Sequence, residues 1–434
     1  MAPVVMRDYR GDHVVTLGGR TVSEGSCEIH LDDAFLLIKG VKTSRIAYEE
    51  VESIHLHGRT VEVGLHPEGR LQIGGMDGSL VRPLFLHFSR LRGLRWSRLL
   101  RFSEGDPTDS LECKVRFEGG DEQEALVQMY PTGLVGMPFG GDPFQMGIQD
   151  LSTVTMSPDY RLACATPESA AILYGCDPGD LGRFHRAVEA TRRKAEEETA
   201  SLLAEVFPAL EFAQSMALTP TLLRGMAAGK TDLVTAVPWL WDRIEKIIAT
   251  SPKTEESYTY LRKQAGDQLW FGLRRLTELE KQAESPQEAE ATEEPPETPT
   301  EGETAEAEKP EVERDYLFWF LAGLEAGVKR FVAVEVVAGT KGFATYVYRC
   351  PEGGTDAEAF SDTAKTVSRA MILLNFFREP LYTTQKEIDT GRFAEYKLAV
   401  RKLPYLRAAR ERFVGRAIHT TAQAWQRSVE KLVA

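Results

Sequence analysis

Cysteine is scarce in this 434-residue chain: there are five, Cys27, Cys113, Cys164, Cys176 and Cys350. The count is odd, no two lie within ten positions of each other, and there is no C-x-x-C. That excludes a disulfide framework and a zinc ribbon, and it fits a reducing cytosol. The first residues, Met-Ala-Pro-Val-Val-Met-Arg-Asp-Tyr-Arg, lack the apolar stretch of a signal peptide. No uninterrupted apolar run is long enough for a membrane span. The longest, Tyr316 to Gly339, carries Glu325, Lys329, Arg330 and Glu335 and reads as a helix over Tyr316–Val328 followed by a strand. Also missing are G-x-S-x-G, H-E-x-x-H and any G-x-G-x-x-G set between a strand and a helix. The expectation is therefore a cytoplasmic protein that is not an enzyme. No catalytic residue, cofactor, metal or small-molecule substrate is assigned, and Cys27 and Cys113 read as buried thiols inside strands.

What is present begins with length. A chain of this size exceeds one core, so several domains are expected. The net charge of −13 is mostly local, because residues 284–313 hold twelve Glu and one Lys. That stretch also carries five Pro and no aromatic residue, the composition of a disordered linker. The remainder is close to neutral.

The first half repeats itself about a hundred residues apart. Tyr48, Glu50, Val51, Ile54 and Leu56 match Ile148, Asp150, Leu151, Val154 and Met156. Upstream, Glu28–Leu37 matches Leu126–Val135; downstream, Leu71–Gly78 matches Ile172–Gly179. A repeat of this length is a small β domain made twice, not a solenoid unit. Strands are expected near 14–18, 26–31, 34–39, 51–57, 61–65 and 70–74, with a helix near 91–100. The second copy has strands near 112–117, 125–130, 133–138, 151–156 and 160–164, then a helix capped by Asp180.

Ile29, Leu31, Leu36, Leu37, Ile38, Ile46, Tyr48, Val51 and Ile54, followed by hairpins and a closing helix, resemble the pleckstrin-homology-like (PH-like, GRAM-type) pattern of bacteria. The resemblance covers roughly residues 12–190. It implies two bent, seven-stranded, helix-capped sheets acting as binding or scaffolding modules. Inositide-binding members carry Lys and Arg between their first two strands. Here Gly18–Gly25 offers only Arg20, which argues against inositides.

The whole reads as a multidomain α+β protein. Its parts are PH-like domains over 1–105 and 106–190, a helical domain over 191–283 and the acidic linker over 284–313. A basic α+β domain over 314–434 follows: a helix, a β-hairpin turning at 339–342, and three helices near 356–378, 390–402 and 404–432. In the helical domain, Thr219-Pro220 reads as a helix start. Trp239, Trp241, Ile244, Ile247 and Ile248 form one helical stripe, and Leu269, Trp270, Leu273, Leu276 and Leu279 another.

Candidate chemistry is sparse. Gly225–Thr231 has three residues, not four, before Gly-Lys-Thr, so a helix ending at Gly229 is preferred to a phosphate loop. His55, His57 and Glu62 share a hairpin face, and solvent-facing strand residues are the simpler reading. Charge is the better lead. From Arg392 onward there are ten Lys and Arg against three acidic residues. On a helix over 404–432, Arg412, Arg416, His419 and Arg427 would share a face for an acidic partner. That partner would be a protein, nucleic acid or the chain's own Glu-rich linker. Arg90, Arg92, Arg95, Arg98 and Arg101 form a second cluster. The function expected is a scaffold or adaptor binding a partner protein through tandem PH-like domains; the alternative is a nucleic-acid-associated protein using the basic C-terminal helices.

Overall fold

Two seven-stranded antiparallel sheets carry the internal repeat. The first contains β1 (Asp8–Leu17), β2 (Arg20–Leu31), β3 (Phe35–Lys39), β4 (Thr43–Ala47), β5 (Val51–His57), β6 (Thr60–Leu65) and β7 (Gly69–Gly74). Its strand order is β4-β3-β2-β1-β7-β6-β5, and helix α1 (Gly78–Leu99) follows. The second contains β8 (Asp109–Phe117), β9 (Glu122–Tyr130), β10 (Gly133–Pro138), β11 (Phe144–Gly147), β12 (Thr153–Met156), β13 (Leu162–Ala165) and β14 (Ala170–Tyr174). Its order, β11-β10-β9-β8-β14-β13-β12, is the same order of elements, and helix α2 (Pro178–Val206) follows. Ile54 faces Val63 across the β5–β6 hairpin as Val154 faces Cys164 across β12–β13.

The coordinates come from a computed structural model that describes residues 8–102, 105–276, 315–326, 330–338, 343–353, 355–418 and 421–434. The linker expected at 284–313 and the turn expected at 339–342 lie outside the described residues. The chain forms two units. One runs to Ala195 and includes Thr383–Leu403; the other joins Glu196–Tyr382 to Pro404–Ala434.

Within the first unit the sheet-to-helix corner is built twice from the same parts. Gly75 and Gly175 take positive φ, 66° and 73°, a conformation that costs other residues a Cβ clash. Two residues on, Asp77 accepts the Ser79 amide at 2.9 Å and Asp177 the Gly179 amide at 2.8 Å. Asp177, not Asp180, therefore caps the second helix. Val81, Leu84 and Phe88 on α1 are buried, as are Leu181, Phe184 and Val188 one hundred positions later. Each such side chain contributes about 1.5–3 kcal/mol.

The copies differ on their outer faces. Strands β2 and β3 alternate buried and accessible residues toward their paired ends, as a half-covered sheet should. Residues Ala125–Tyr130 and Gly133–Pro138 of β9 and β10 are buried without alternation. The second face of these strands receives α1. A Cβ on Gly93 would stand 3.0 Å from Met137 Cβ, so glycine permits the close approach. Arg82–Glu124 and Arg90–Glu112 ion pairs flank the contact at 2.9 and 3.2 Å.

The second unit centres on a six-stranded sheet, β15-β16-β17-β18-β19-β20. These strands are β15 (Ala228–Gly229), β16 (Leu269–Arg275), β17 (Tyr316–Ala326), β18 (Arg330–Ala338), β19 (Phe343–Arg349) and β20 (Phe413–Ile418). Helices α3 (Phe212–Leu218), α4 (Lys230–Ala236), α5 (Leu240–Ile248) and α6 (Pro252–Ala265) precede the main strands. Then come α7 (Asp356–Leu373), α8 (Glu379–Tyr382), α11 (Pro404–Arg412) and α12 (Ala422–Val433); α9 (Gln385–Thr390) and α10 (Lys397–Lys402) belong to the first unit. Phe318, Phe320, Val334, Val336 and Val347 share a core with Trp241, Ile244, Tyr258, Leu261, Trp425 and Val429.

Several expectations for this half are corrected. Tyr316–Ala326 is a strand, not a helix. A continuous apolar run reads equally as a buried strand or a buried helix, and pairing with β16 on one side and β18 on the other decides it. The Leu269–Leu279 stripe is likewise strand β16 as far as Arg275. Leu269 faces Ala322 and Arg275 faces Tyr316, so segments expected as separate domains, 191–283 and 314–434, contribute to one sheet and one core. Thr219 ends helix α3 instead of starting one. The helix expected over 404–432 is two helices separated by β20.

Candidate binding surfaces

The basic residues singled out from the sequence do not form a common helical face. Arg412 closes α11 and pairs with Asp362 at 2.8 Å, also donating to Thr366 Oγ1 at 3.2 Å. Arg416 lies on β20, over the Tyr382 ring at 5.1 Å, and donates to its hydroxyl at 3.3 Å. Arg427 lies exposed on α12, where Trp425 and Val429 turn inward. His419 lies outside the described residues. Helical periodicity misled here because β19 captures Phe413–Ile418 as its neighbour. Gly415 allows it: a Cβ there would stand 2.4 Å from Leu432 Cδ2 of α12.

Beside Arg416 is a closed polar cluster. Tyr346 and Tyr382 stack with centroids 6.1 Å apart. Arg378 donates to Glu335 Oε1 at 2.8 Å, and the Tyr348 hydroxyl lies 3.4 Å from Oε2. Glu335 and Tyr348 are fully buried, and burial first, then the Glu335 charge, holds the Tyr348 phenol far above its usual range. Arg378 also donates to the Phe376 carbonyl at 3.2 Å. Asn375 and Phe376, at φ 47° and 62°, bend the chain there. Such a pair stabilises little beyond its desolvation cost, but losing one partner is expensive. It fixes where residues 374–382 lie on the sheet. The only sequence signal was Glu335 itself, a charge amid Phe-Val-Ala-Val-Glu-Val-Val.

In the first unit, a bulge assembles a second charged surface. Val51 faces Leu65 and Ser53 faces Gly64, leaving Glu52 as the extra residue of β5. The bulge also puts Val51 inside with Ile54, where simple alternation placed it opposite. Arg92 pins this point. It is 1% exposed and donates to the Val51, Glu52 and Gly141 carbonyls and the Asp142 carboxylate, all at 2.8 Å. Its guanidinium lies 3.9 Å from the centre of the Trp96 ring. Burial pulls its pKa down, and Asp142 and Glu52 oppose that.

The Glu52 side chain meets the segment 383–403. Lys402 Nζ is 2.5 Å from Oε2, Arg401 is 3.2 Å from Oε1, and His66 Nδ1 is 3.5 Å from Oε1. Lys402 also reaches Asp142 at 3.5 Å and lies 5.1 Å over Trp96. Arg401 donates to the Glu49 carbonyl at 3.2 Å, and Glu49 pairs with Arg95 at 2.7 Å. Of the second arginine cluster, then, Arg90, Arg92 and Arg95 are held by carboxylates, Arg101 lies 5.1 Å from the Tyr396 ring, and Arg98 is exposed. No sequence spacing could have revealed a cluster whose members lie some 350 residues apart.

The remaining candidates are placed simply. Gly229 precedes helix α4 rather than ending one, and Lys230 pairs with Asp267 at 2.8 Å. His55 and His57 have ring centroids 5.9 Å apart, while Glu62 pairs with Arg70. Among the described residues no three His, Cys, Asp or Glu side chains converge as a metal set. Cys27, Cys113, Cys164 and Cys350 are buried. Burial pushes the Cys113 and Cys164 thiols up to about 12. A groove of about 570 Å³ on the first sheet is lined by Arg10, Asp12, Ser26, Glu28, Lys39 and Gly40. Among the described residues no helix is long and apolar enough to cross a membrane.

No protein-family model matches the sequence, and no curated protein matches it significantly.

Proposed function

We propose that the protein is a non-enzymatic cytosolic scaffold whose two N-terminal sheets are PH-like domains that bind a partner protein. The observation that carries this reading is the composite built from the two copies. Each copy has the strand order of the other and a closing helix at the same place, and the first copy's helix fills the apolar outer face of the second. The pair therefore offers one joint surface. The tip of the first sheet suits a protein partner. Leu17 and Val22 are 50% and 45% exposed at the β1–β2 end, beside Arg20, and Val41 is 95% exposed in the β3–β4 connection, next to Lys42. Apolar side chains left in water favour association.

The test is capture of partners by the full chain, compared with a variant carrying Leu17→Asp, Val22→Asp and Val41→Asp. A partner retained by the wild type and lost by the equally stable variant supports the scaffold. Retention by both, or turnover of a small molecule, sinks it. The alternative, nucleic-acid association, draws on exposed Arg416 and Arg427. It requires low-salt binding of a polyanion that falls steeply with salt and weakens in Arg416→Gln/Arg427→Gln.

A further inference from the structure

We propose that Thr383–Leu403 is an intramolecular ligand of the tandem β domains. The surface it covers, Glu49, Glu52 and Asp142 around Trp96, would then be where a partner helix ending in a Lys/Arg pair docks. This rests on reading the tandem domains as a protein-binding module.

Three observations lead there. The segment joins the first unit although the chain on both sides of it belongs to the other. It adds no strand to either N-terminal sheet, and the core of the first β domain, from Tyr9 to Leu91, includes none of its residues. The apolar core inside the first sheet thus forms without it. Second, the contacts that Arg401 and Lys402 make with the β5 region are ionic or charge-assisted: Arg401 and Lys402 on Glu52, Lys402 on Asp142, and Arg401 on the Glu49 carbonyl. The Arg401 and Lys402 side chains are each 26% exposed, Glu52 is 30% and Asp142 51%, so water and salt reach the pairs. Partly exposed pairs are weak, a strength suited to exchange. Third, the receiving acid is prepared independently of the segment. The bulge aims Glu52, and Arg92 holds its carbonyl from behind.

The chemistry specifies the competitor. A helix with adjacent Arg and Lys in its last turn, as α10 has, can place one cation on each Glu52 oxygen and lay the Lys stem over the indole. The tethered copy has the advantage of effective concentration, so a free helix must displace it. The segment also has buried apolar residues, including Ile388, Tyr396 and Ala399. Permanent packing is therefore the rival, and the experiment must separate the two.

The probe is a fluorescein-labelled synthetic peptide of residues 383–403, titrated into the full chain by anisotropy. The proteins are the wild type, Arg401→Glu/Lys402→Glu, and that variant with Glu52→Lys added. Hydrogen exchange over 397–403 is followed in parallel, including the wild type in about 1 M salt, where charges are screened beyond about 3 Å. Release of the segment in the double variant and in salt is expected, with the β strands still protected. The peptide should bind the double variant at least about ten-fold more tightly than the wild type, and Glu52→Lys should abolish the gain. Unchanged protection of 397–403 in both the variant and high salt overturns the proposal, as does peptide binding indifferent to Glu52→Lys. If the double variant does not fold, the salt series and Glu52→Gln in the wild type decide. Partner capture lost on the tip substitutions, together with a failed peptide arm, would remove this inference and leave the scaffold standing.

Discussion

Arg92 is the residue whose loss tells most about the first unit. In Arg92→Met the side chain keeps much of its stem, but four hydrogen bonds disappear, three of them to main-chain carbonyls. Those carbonyls would need water at a site where the replaced side chain was 1% exposed. An unsatisfied buried acceptor costs about 1–3 kcal/mol, and the costs do not simply add. The Asp142 partner is half exposed and can rehydrate, so it adds little. Loss of the stacking on Trp96 adds on the order of 1 kcal/mol. A total of roughly 3–5 kcal/mol is expected, in line with breaking one side of a buried charged contact. For a unit of this size that lowers the midpoint by about 6–20 °C. Calorimetry of the full chain should show the shift in one transition. Hydrogen exchange should show early opening at Val51–Ser53 and Gly141–Asp142. Arg92→Lys should lose less, because it keeps the charge and one or two donors. A change below about 1 kcal/mol in Arg92→Met would refute the reasoning, since it would mean the three carbonyls find water without cost.

Other predictions follow from the same geometry. In Glu335→Ala the Arg378 charge is left buried without its partner, and a loss of about 3–5 kcal/mol is expected by denaturant titration. Gly140→Ala should destabilise the contact between the two β domains, because Gly140 has φ 88° and its Cβ would stand 2.6 Å from the Ile54 carbonyl oxygen; Arg82→Ala, at an exposed ion pair, should be nearly silent in the same melt. Above pH 9 the unfolded chain ionises thiols that the folded chain keeps protonated, since Cys113 and Cys164 rise from 9.0 to about 12. Stability should be level below pH 9 and fall between pH 9 and 12, by on the order of 1 kcal/mol per thiol at pH 10; Cys113→Ala/Cys164→Ala should flatten that slope, and an unchanged slope would be contrary. A protease site inserted within 284–313 and then cleaved should leave the pieces co-eluting, because Leu269–Arg275 and Tyr316–Ala326 pair along their lengths; separation into two folded pieces would restore the two-domain reading.

The N-terminal architecture was legible because its information is local. Alternation of Ile29, Leu31, Leu36 and Ile38 and the hundred-residue offset reflect side chains meeting neighbours in adjacent strands, whereas the Gly–x–Asp corner at 75–77 and 175–177 emerged only in the fold. Even the uniform run in β9 and β10 held a message, since a strand covered on both faces needs no alternation. In the second unit the same kind of run was ambiguous. Tyr316–Ala326 is apolar on every side, so periodicity could not choose between helix and strand, and the choice fell to β16 and β18. Phe413–Ile418 had helical spacing, yet the open edge of β19 and the glycine that lets α12 approach drew it into the sheet. The charged surfaces were the least legible. Arg412 and Arg416 were visible as charges but not as partners of Asp362 and Tyr382. Glu52 became a receptor for Arg401 and Lys402 only through a bulge and a fold that returns residue 402 to residue 52. The sequence by itself determined which segments could bury a face and which charges existed. Tertiary structure alone decided which strands adopt the ambiguous runs and which distant charges meet, because those outcomes depend on contacts between residues that no local pattern connects.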